Sequence, residues 1–171
     1  DFGHNLLTPK TIKFIQANSK FLAINAQSNS SNQGYNLITK YKKADYVCID
    51  YPEAKLAAKN KFLSPENIYK NFLNKKIKTK KFAITLGNDG SIVFEKNKLF
   101  RMPVFSNKVV DTMGAGDAYF VITSLFASCN FEIDEIALIG NTIGSMKTNI
   151  RGHSKKIDFE NFLSYLSTIL K

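Results

Sequence analysis

The sequence predicts an α/β fold in three αβα layers, with a mostly parallel sheet that carries a β-hairpin at its edge. Three observations predict it. The runs Phe21-Leu22-Ala23-Ile24-Asn25, Tyr46-Val47-Cys48-Ile49 and Lys81-Phe82-Ala83-Ile84-Thr85-Leu86 are short, apolar and not alternating, as strands buried on both faces are. Helix-length segments with start signals fall between them, which is the rhythm of βαβ units. Gly87-Asn88-Asp89-Gly90 then joins the third run directly to Ser91-Ile92-Val93-Phe94-Glu95, a link short enough for a hairpin and too short for a crossover.

Taken in order, Asp1-Phe2-Gly3-His4-Asn5 is expected to be a strand end and turn, and the start at Asp1 without a methionine suggests a piece of a longer chain. Thr8 should cap a helix with Pro9 in its first position, its apolar side given by Ile12, Phe14 and Ile15. Ala26 to Gln33 is a polar loop, and Tyr35 to Tyr41 a short helix leading into the second strand. Asp50-Tyr51-Pro52-Glu53 precedes a helix from about Ala54 to Asn60. A second capped start, Ser64-Pro65-Glu66-Asn67, is followed by Ile68, Phe72 and Leu73 on an inward face. Asn97 and Lys98 turn the chain again into Leu99 to Val104.

Asp134 is expected to cap a mostly apolar helix with Ile136, Ala137, Ile139, Ile143 and Met146. Within it Gly140 and Gly144, four residues apart, favour close approach by another backbone or a flat ring. The last helix runs from Asp158 through Leu170, and its stripe of Phe159, Phe162, Leu163, Leu166 and Leu170 reads as core.

A chain of 171 residues with 44% hydrophobic content suffices for one domain with a real core, and no repeat or linker divides residues 1–171. No run of about 18 apolar residues exists to cross a bilayer, so no membrane partner is expected. The net charge is +10, from 24 basic and 14 acidic residues, yet the lysines are scattered without an aromatic ladder. That pattern suits a solvated basic surface better than a nucleic-acid groove. Cys48 and Cys129 stand in apolar surroundings without metal or disulfide spacing, which points to buried reduced thiols and a cytoplasmic setting. His4 and His153 lack partners at metal-ligand spacing and are assigned structural or surface roles.

The chemistry concentrates in Val109-Val110-Asp111-Thr112-Met113-Gly114-Ala115-Gly116-Asp117-Ala118-Tyr119, just ahead of the apolar run Phe120 to Ala127. Glycines on either side of one alanine let the backbone turn its N–H groups toward one point, and a helix N-terminus adds its partial positive charge there. Such a bend can cradle an anion, and a phosphoryl group fits. Asp117, in the first turn of the coming helix, is placed to take a proton from an attacking hydroxyl. Cradle plus carboxylate suggests phosphoryl transfer, although a glycine turn capped by Asp is also an ordinary way to begin a buried helix. A dinucleotide fingerprint would need Gly or Ala where Tyr119 stands, and no GxxxxGK[ST] loop occurs.

The longer string DTMGAGDAY resembles the signature of the ribokinase-like carbohydrate kinases, also called the phosphofructokinase B family. The resemblance implies a ribokinase-like fold, with Gly114, Ala115 and Gly116 as anion hole for the transferred phosphoryl, Asp117 as catalytic base, and ATP and Mg2+ as cofactors. Asp111 would contribute to a monovalent-cation site, such as one for K+, beside the nucleotide. Thr85, Leu86, Gly87 and Gly90 match the family's TLGxxG element, which runs beside the nucleotide; as a plain hairpin turn they need no function. Glu53 matches the Glu of an NxxE motif that organises magnesium and water, with Asp50 in place of its Asn; helix-capping acids are the alternative. Asn141 and Gly144 would lie against the adenine, and the turn Asn149 to Ser154 would help to enclose nucleotide and cation.

Within the family, DFGHNLLTP followed by YKKADYV is most similar to the heptose-phosphate kinases, with His4 for Lys, Asn25-Ala26-Gln27 for DPK and Asp50 for Asn. The order of motifs implies the nucleotide-binding, carboxyl-terminal part of such a kinase. Its partners would be a sugar or sugar-phosphate substrate, the missing amino-terminal half and, as one option, a second copy in a homodimer. The competing expectation is a nucleotide-binding or interaction module without turnover.

Overall fold

The computed structural model describes residues 1–106, 109–152 and 154–171. Its five strands, β1 (Ala23–Ile24), β2 (Tyr46–Asp50), β3 (Lys81–Thr85), β4 (Ser91–Glu95) and β5 (Lys98–Met102), form one mixed sheet in chain order. β1, β2 and β3 are parallel, and the register sets Asp50 beside Thr85 at the strand ends. The expected α/β class is therefore what the chain adopts. No helix among the described residues is long and apolar enough to cross a membrane.

The chain divides into two compact units, one of residues 1–85 with 94–97, the other of residues 86–93 with 98–171. In the first, β2 and β3 bury Val47, Cys48, Ile49, Phe82, Ala83 and Ile84 almost completely. Helix α1 (Pro9–Asn18) starts at Thr8, whose side chain accepts from the Thr11 N–H, as expected. Ile12 is its buried residue, whereas Phe14 is exposed: two residues on lie roughly 200° round a helix, so both cannot face inward. β1 is shorter than the apolar run around it because the Leu22 N–H donates to the Asp45 carboxylate at 2.9 Å instead of to a strand carbonyl. Between them and β2 only one short 3-10 turn forms, at Ile38–Lys40.

Helix α2 (Tyr51–Ala58) follows β2 without a loop. Helix α3 (Pro65–Ile68), capped by Ser64, widens into a π turn at Tyr69–Leu73 and ends as α4 (Asn74–Lys76). Tyr69 stacks on Phe94 with ring centroids 4.0 Å apart, and Ile68 and Leu73 are buried beside it. The thiol of Cys48 is buried there as expected, and desolvation pushes its pKa far above the usual thiol range.

The second unit is built on α5 (Ala115–Ser128), α6 (Ile133–Thr148) and α7 (Phe159–Ile169). Ile139 and Ile143 of α6 pack with Phe162 of α7, joined by Ala118, Ile122 and Phe126 of α5. α6 is capped by Glu132 with Glu135 reaching back, not by Asp134, which sits in the first turn and complements the helix dipole. Asp158 caps α7 as expected. The α7 stripe is wider than the surface it meets: Phe162 is buried, but Phe159 is 71% exposed, and Leu163 and Leu170 also face out. Cys129 is exposed, because α5 ends there and leaves its thiol at the rim. His4 is exposed, and His153 lies outside the described residues.

Candidate active site

The glycine bend opens α5 in a way no other helix start among the described residues does. Gly114 stands at the N-cap with φ of 73° and ψ of 7°, a left-handed conformation that glycine adopts without a Cβ penalty. Having no side chain, it leaves the helix uncapped. The Ala115 N–H turns back to the Thr112 carbonyl at 3.2 Å, and the first helical bond runs from the Ala118 N–H to the Gly114 carbonyl at 3.0 Å. The amides of Gly114 and Gly116 have no hydrogen-bond partner among the described residues. Gly116 is exposed, and a Cβ built on it would meet nothing within 4 Å. Asp117, also exposed, occupies the third helical position of the same turn. Two amides and a carboxylate thus share one open helix end, a combination that can bind an anion and accept a proton.

The segment leading into this bend is fastened to the end of α6. Val110 and Asp111 both donate their N–H groups to the Thr148 carbonyl, at 2.8 and 3.1 Å. In return the Asp111 carboxylate accepts the Met113 N–H at 2.9 Å and the Gly152 N–H at 2.7 Å. Those two hydrogen bonds, helped by the charges of Lys147 and Arg151, hold its carboxyl below the usual carboxylate range. The Lys147 ammonium donates to the Gly152 carbonyl. A bound monovalent cation is disfavoured here by the Lys147 ammonium, whose fixed positive charge already occupies the Gly152 carbonyl.

Behind the bend lies a buried polar trio. Tyr119 donates its hydroxyl to Ser91 Oγ at 2.9 Å, and Asn141 Nδ2 donates to the same oxygen at 2.7 Å and to the Ala137 carbonyl at 2.9 Å. Asn141 is thereby committed within the unit. The flat ring expected against Gly140 is Tyr119 itself: a Cβ at Gly140 would lie 2.4 Å from Tyr119 Cε2. Gly144, one turn on, has open space where a Cβ would be.

At the turn after β3, Gly87 has φ of 61° and an open face, while at Gly90, with φ of 84°, a Cβ would come within 1.9 Å of the Met102 carbonyl. Gly90 is therefore required by the hairpin alone, and Gly87 leaves room for a ligand. Thr85 closes β3 next to Asp50.

Asp50 and Glu53 form a capping box at the start of α2. Asp50 Oδ1 accepts the Glu53 N–H at 2.7 Å, Glu53 Oε2 accepts the Asp50 N–H at 3.0 Å, and Glu53 Oε1 accepts the Ser28 N–H at 2.9 Å. Desolvation, and then the neighbouring Asp50 charge, push the half-buried Glu53 carboxyl up to about 7; the protein packed around Asp50 raises its carboxyl too. No cluster of three or more metal-ligating side chains occurs among the described residues. The pair retains acceptor capacity for a metal's water shell, so it fits an outer-sphere role better than direct coordination.

Sequence reasoning missed Thr148, Lys147 and Ser91. A lysine in the last turn of an otherwise apolar helix, and a serine opening an apolar strand, were the available signals.

A glycine bend, free amides and an adjacent carboxylate at one helix end form an arrangement suited to binding a phosphate. The chain belongs to the pfkB family of carbohydrate kinases, whose profile matches residues 10–158. A ribokinase from Lactococcus lactis subsp. lactis is 28% identical over 116 residues, which cover 66% of this chain and 36% of that protein. In fold the chain is similar to phosphofructokinase-2 from Escherichia coli in complex with potassium, with a TM-score of 0.77 at 16% identity over 95% of this chain and 52% of that one. It is also similar to a ribokinase from Thermotoga maritima, with a TM-score of 0.64 at 24% identity over 72% of this chain and 42% of that one. The chain thus spans about a third to half of these relatives.

Proposed function

We propose that the chain is the nucleotide-binding part, residues 1–171, of a kinase that transfers the γ-phosphoryl of ATP to a hydroxyl of a sugar or sugar phosphate. The observation that carries this reading is the open bend, where Gly114 and Gly116, three residues and one residue ahead of Asp117, keep their amides unpaired among the described residues. The sugar oxygen attacks phosphorus in line, its proton passes to the Asp117 carboxylate, and the bond from phosphorus to the bridging oxygen of ADP breaks. Charge spreads over the transferred oxygens in a loose transition state, so amides fixed before the reaction stabilise it without reorganising. Thr85, Gly87 and Gly144 are the proposed contacts of the nucleotide. Asn141 and Gly90 support them from within the fold.

When bound, magnesium neutralises phosphate charge; Glu53 and Asp50 are the residues proposed to hold its water shell. Similarity to heptose-phosphate kinases makes a phosphorylated sugar one candidate acceptor. A second reading, a module that binds nucleotide without turnover, draws on His4, Asn25-Ala26-Gln27 and Asp50, which depart from that pattern.

The test is a coupled assay for ADP release by the full-length protein with a panel of sugars and sugar phosphates. Release above the no-sugar background with one class of acceptor is the expected result. ATP binding with no acceptor-dependent release across the panel would favour the module.

A further inference from the structure

Lys147 is the least expected charge in the second unit. It stands in the last turn of α6 and is only 9% exposed. Burying an ammonium is costly unless oxygen atoms replace its water. Here the Lys147 ammonium donates a hydrogen bond to the Gly152 carbonyl at 2.5 Å, and the carboxyl-terminal end of α6 adds favourable partial charge. Gly152 in turn donates its N–H to Asp111, and Asp111 holds the Met113 N–H immediately ahead of Gly114. One chain of contacts therefore runs from the Lys147 ammonium to the glycine bend.

Family resemblance puts a dissociable monovalent cation beside Asp111, and the side chains here disagree with it. A monovalent ion on the Gly152 carbonyl would lie within contact distance of a fixed positive charge, and like charges that close repel. A lysine ammonium is itself a compact point charge with three donors, able to bind the oxygens that such an ion would bind.

We propose that the Lys147 ammonium is a built-in monovalent cation, which ties residues 149–152 to the segment 110–113 and so aims the Gly114–Gly116 bend without any dissociable ion. Lys147 is a positioning residue, acting through Gly152 and Asp111. The kinetic side of this proposal rests on the kinase reading; the structural side does not.

The full-length protein is compared in KCl and in choline chloride at equal ionic strength, by melting temperature and by ATP turnover. The parent should melt and turn over alike in both salts. Lys147→Met should lose turnover in choline by roughly 10²-fold, as a misaimed site does. Potassium should restore most of that turnover and raise the variant's melting temperature by roughly 2–4 °C through binding linkage. Rescue by a free cation is a response that a merely space-filling lysine would not give. Saturable activation or stabilisation of the parent by potassium would overturn the proposal, and so would a Met variant that potassium leaves unchanged. If the variant folds in neither salt, the parent decides: indifference to potassium upholds the proposal and saturable dependence overturns it. Absence of turnover in every sample would sink the kinase reading, while the melting comparison would still test the cation.

Discussion

Helices α2 and α5 begin alike and end up doing opposite things with their positive ends. Each carries an acid in its third position, Glu53 in one and Asp117 in the other. At α2 the chain neutralises itself, since Asp50 takes the Glu53 N–H and Glu53 takes the Asp50 N–H in return. At α5 the cap is a glycine with nothing to offer, and two amides are left to whatever arrives. Helices α1, α3, α6 and α7 side with α2, each closed by a polar side chain. The difference teaches that an acidic helix start is not informative by itself; what marks a binding end is the cap that is withheld.

The largest effect expected from breaking this contrast is at Asp117. Asp117→Asn in the full-length enzyme should leave ATP binding nearly intact and lower turnover by roughly 10²–10⁴-fold, read by steady-state kinetics beside nucleotide titration. Equal turnover in variant and parent would remove the base from the mechanism. Gly116→Ala sharpens the same point from the other side. With no protein atom near the added methyl, the fold should be unharmed or gain up to about 1 kcal/mol of helix propensity. Turnover should nonetheless fall by roughly 10–10²-fold, as loss of an anion-hole contact does, because the methyl intrudes where a phosphoryl would approach. A variant as active as its parent would place the ligand elsewhere.

Gly140→Ala should do the reverse, costing about 1–3 kcal/mol in denaturant unfolding because its methyl meets the Tyr119 ring. Gly144→Ala, on the same face of α6 but open, is the control and should match the parent or gain up to about 1 kcal/mol from helix propensity.

The smallest effect concerns α2. Glu53 is raised from 4.5 to about 7 by desolvation and by Asp50, so the folded state binds more protons than the unfolded state between those values. Its contribution to stability is therefore unaffected below pH 4.5, declines as pH rises toward 7, and stays lowered above that. Asp50→Asn keeps a capping side chain but removes one charge, and should flatten that decline in a series of thermal melts. An identical slope would show that desolvation alone sets the shift.

Much of this was legible in the sequence because its causes are local. The βαβ rhythm, the Thr8, Ser64 and Asp158 caps and the buried β3 all follow from neighbours within a few residues. The glycine bend was legible for the same reason, since an unpaired amide at a helix start depends on the cap residue alone. What was not legible depends on partners far along the chain. Asn141 turns inward because Ser91, fifty positions away, offers it an oxygen. The α7 stripe looked like core because its spacing is helical, but only Phe162 and Leu166 find a surface to meet. Asp111 holds the Gly152 amide, 41 positions away, a contact that no local pattern announces.

Tyr119 sits two residues beyond Asp117 on α5, roughly 200° around the axis, so the two side chains leave the helix on nearly opposite sides. Its ring is wedged against Gly140 and its hydroxyl is anchored on Ser91. A helix clamped at one such point has lost its freedom to swivel, and the bearing of the residue across from the clamp is settled before any nucleotide comes near. The phenol acts as a keel: loosening it, as with Tyr119→Leu, should let the carboxylate wander in direction even where the fold survives.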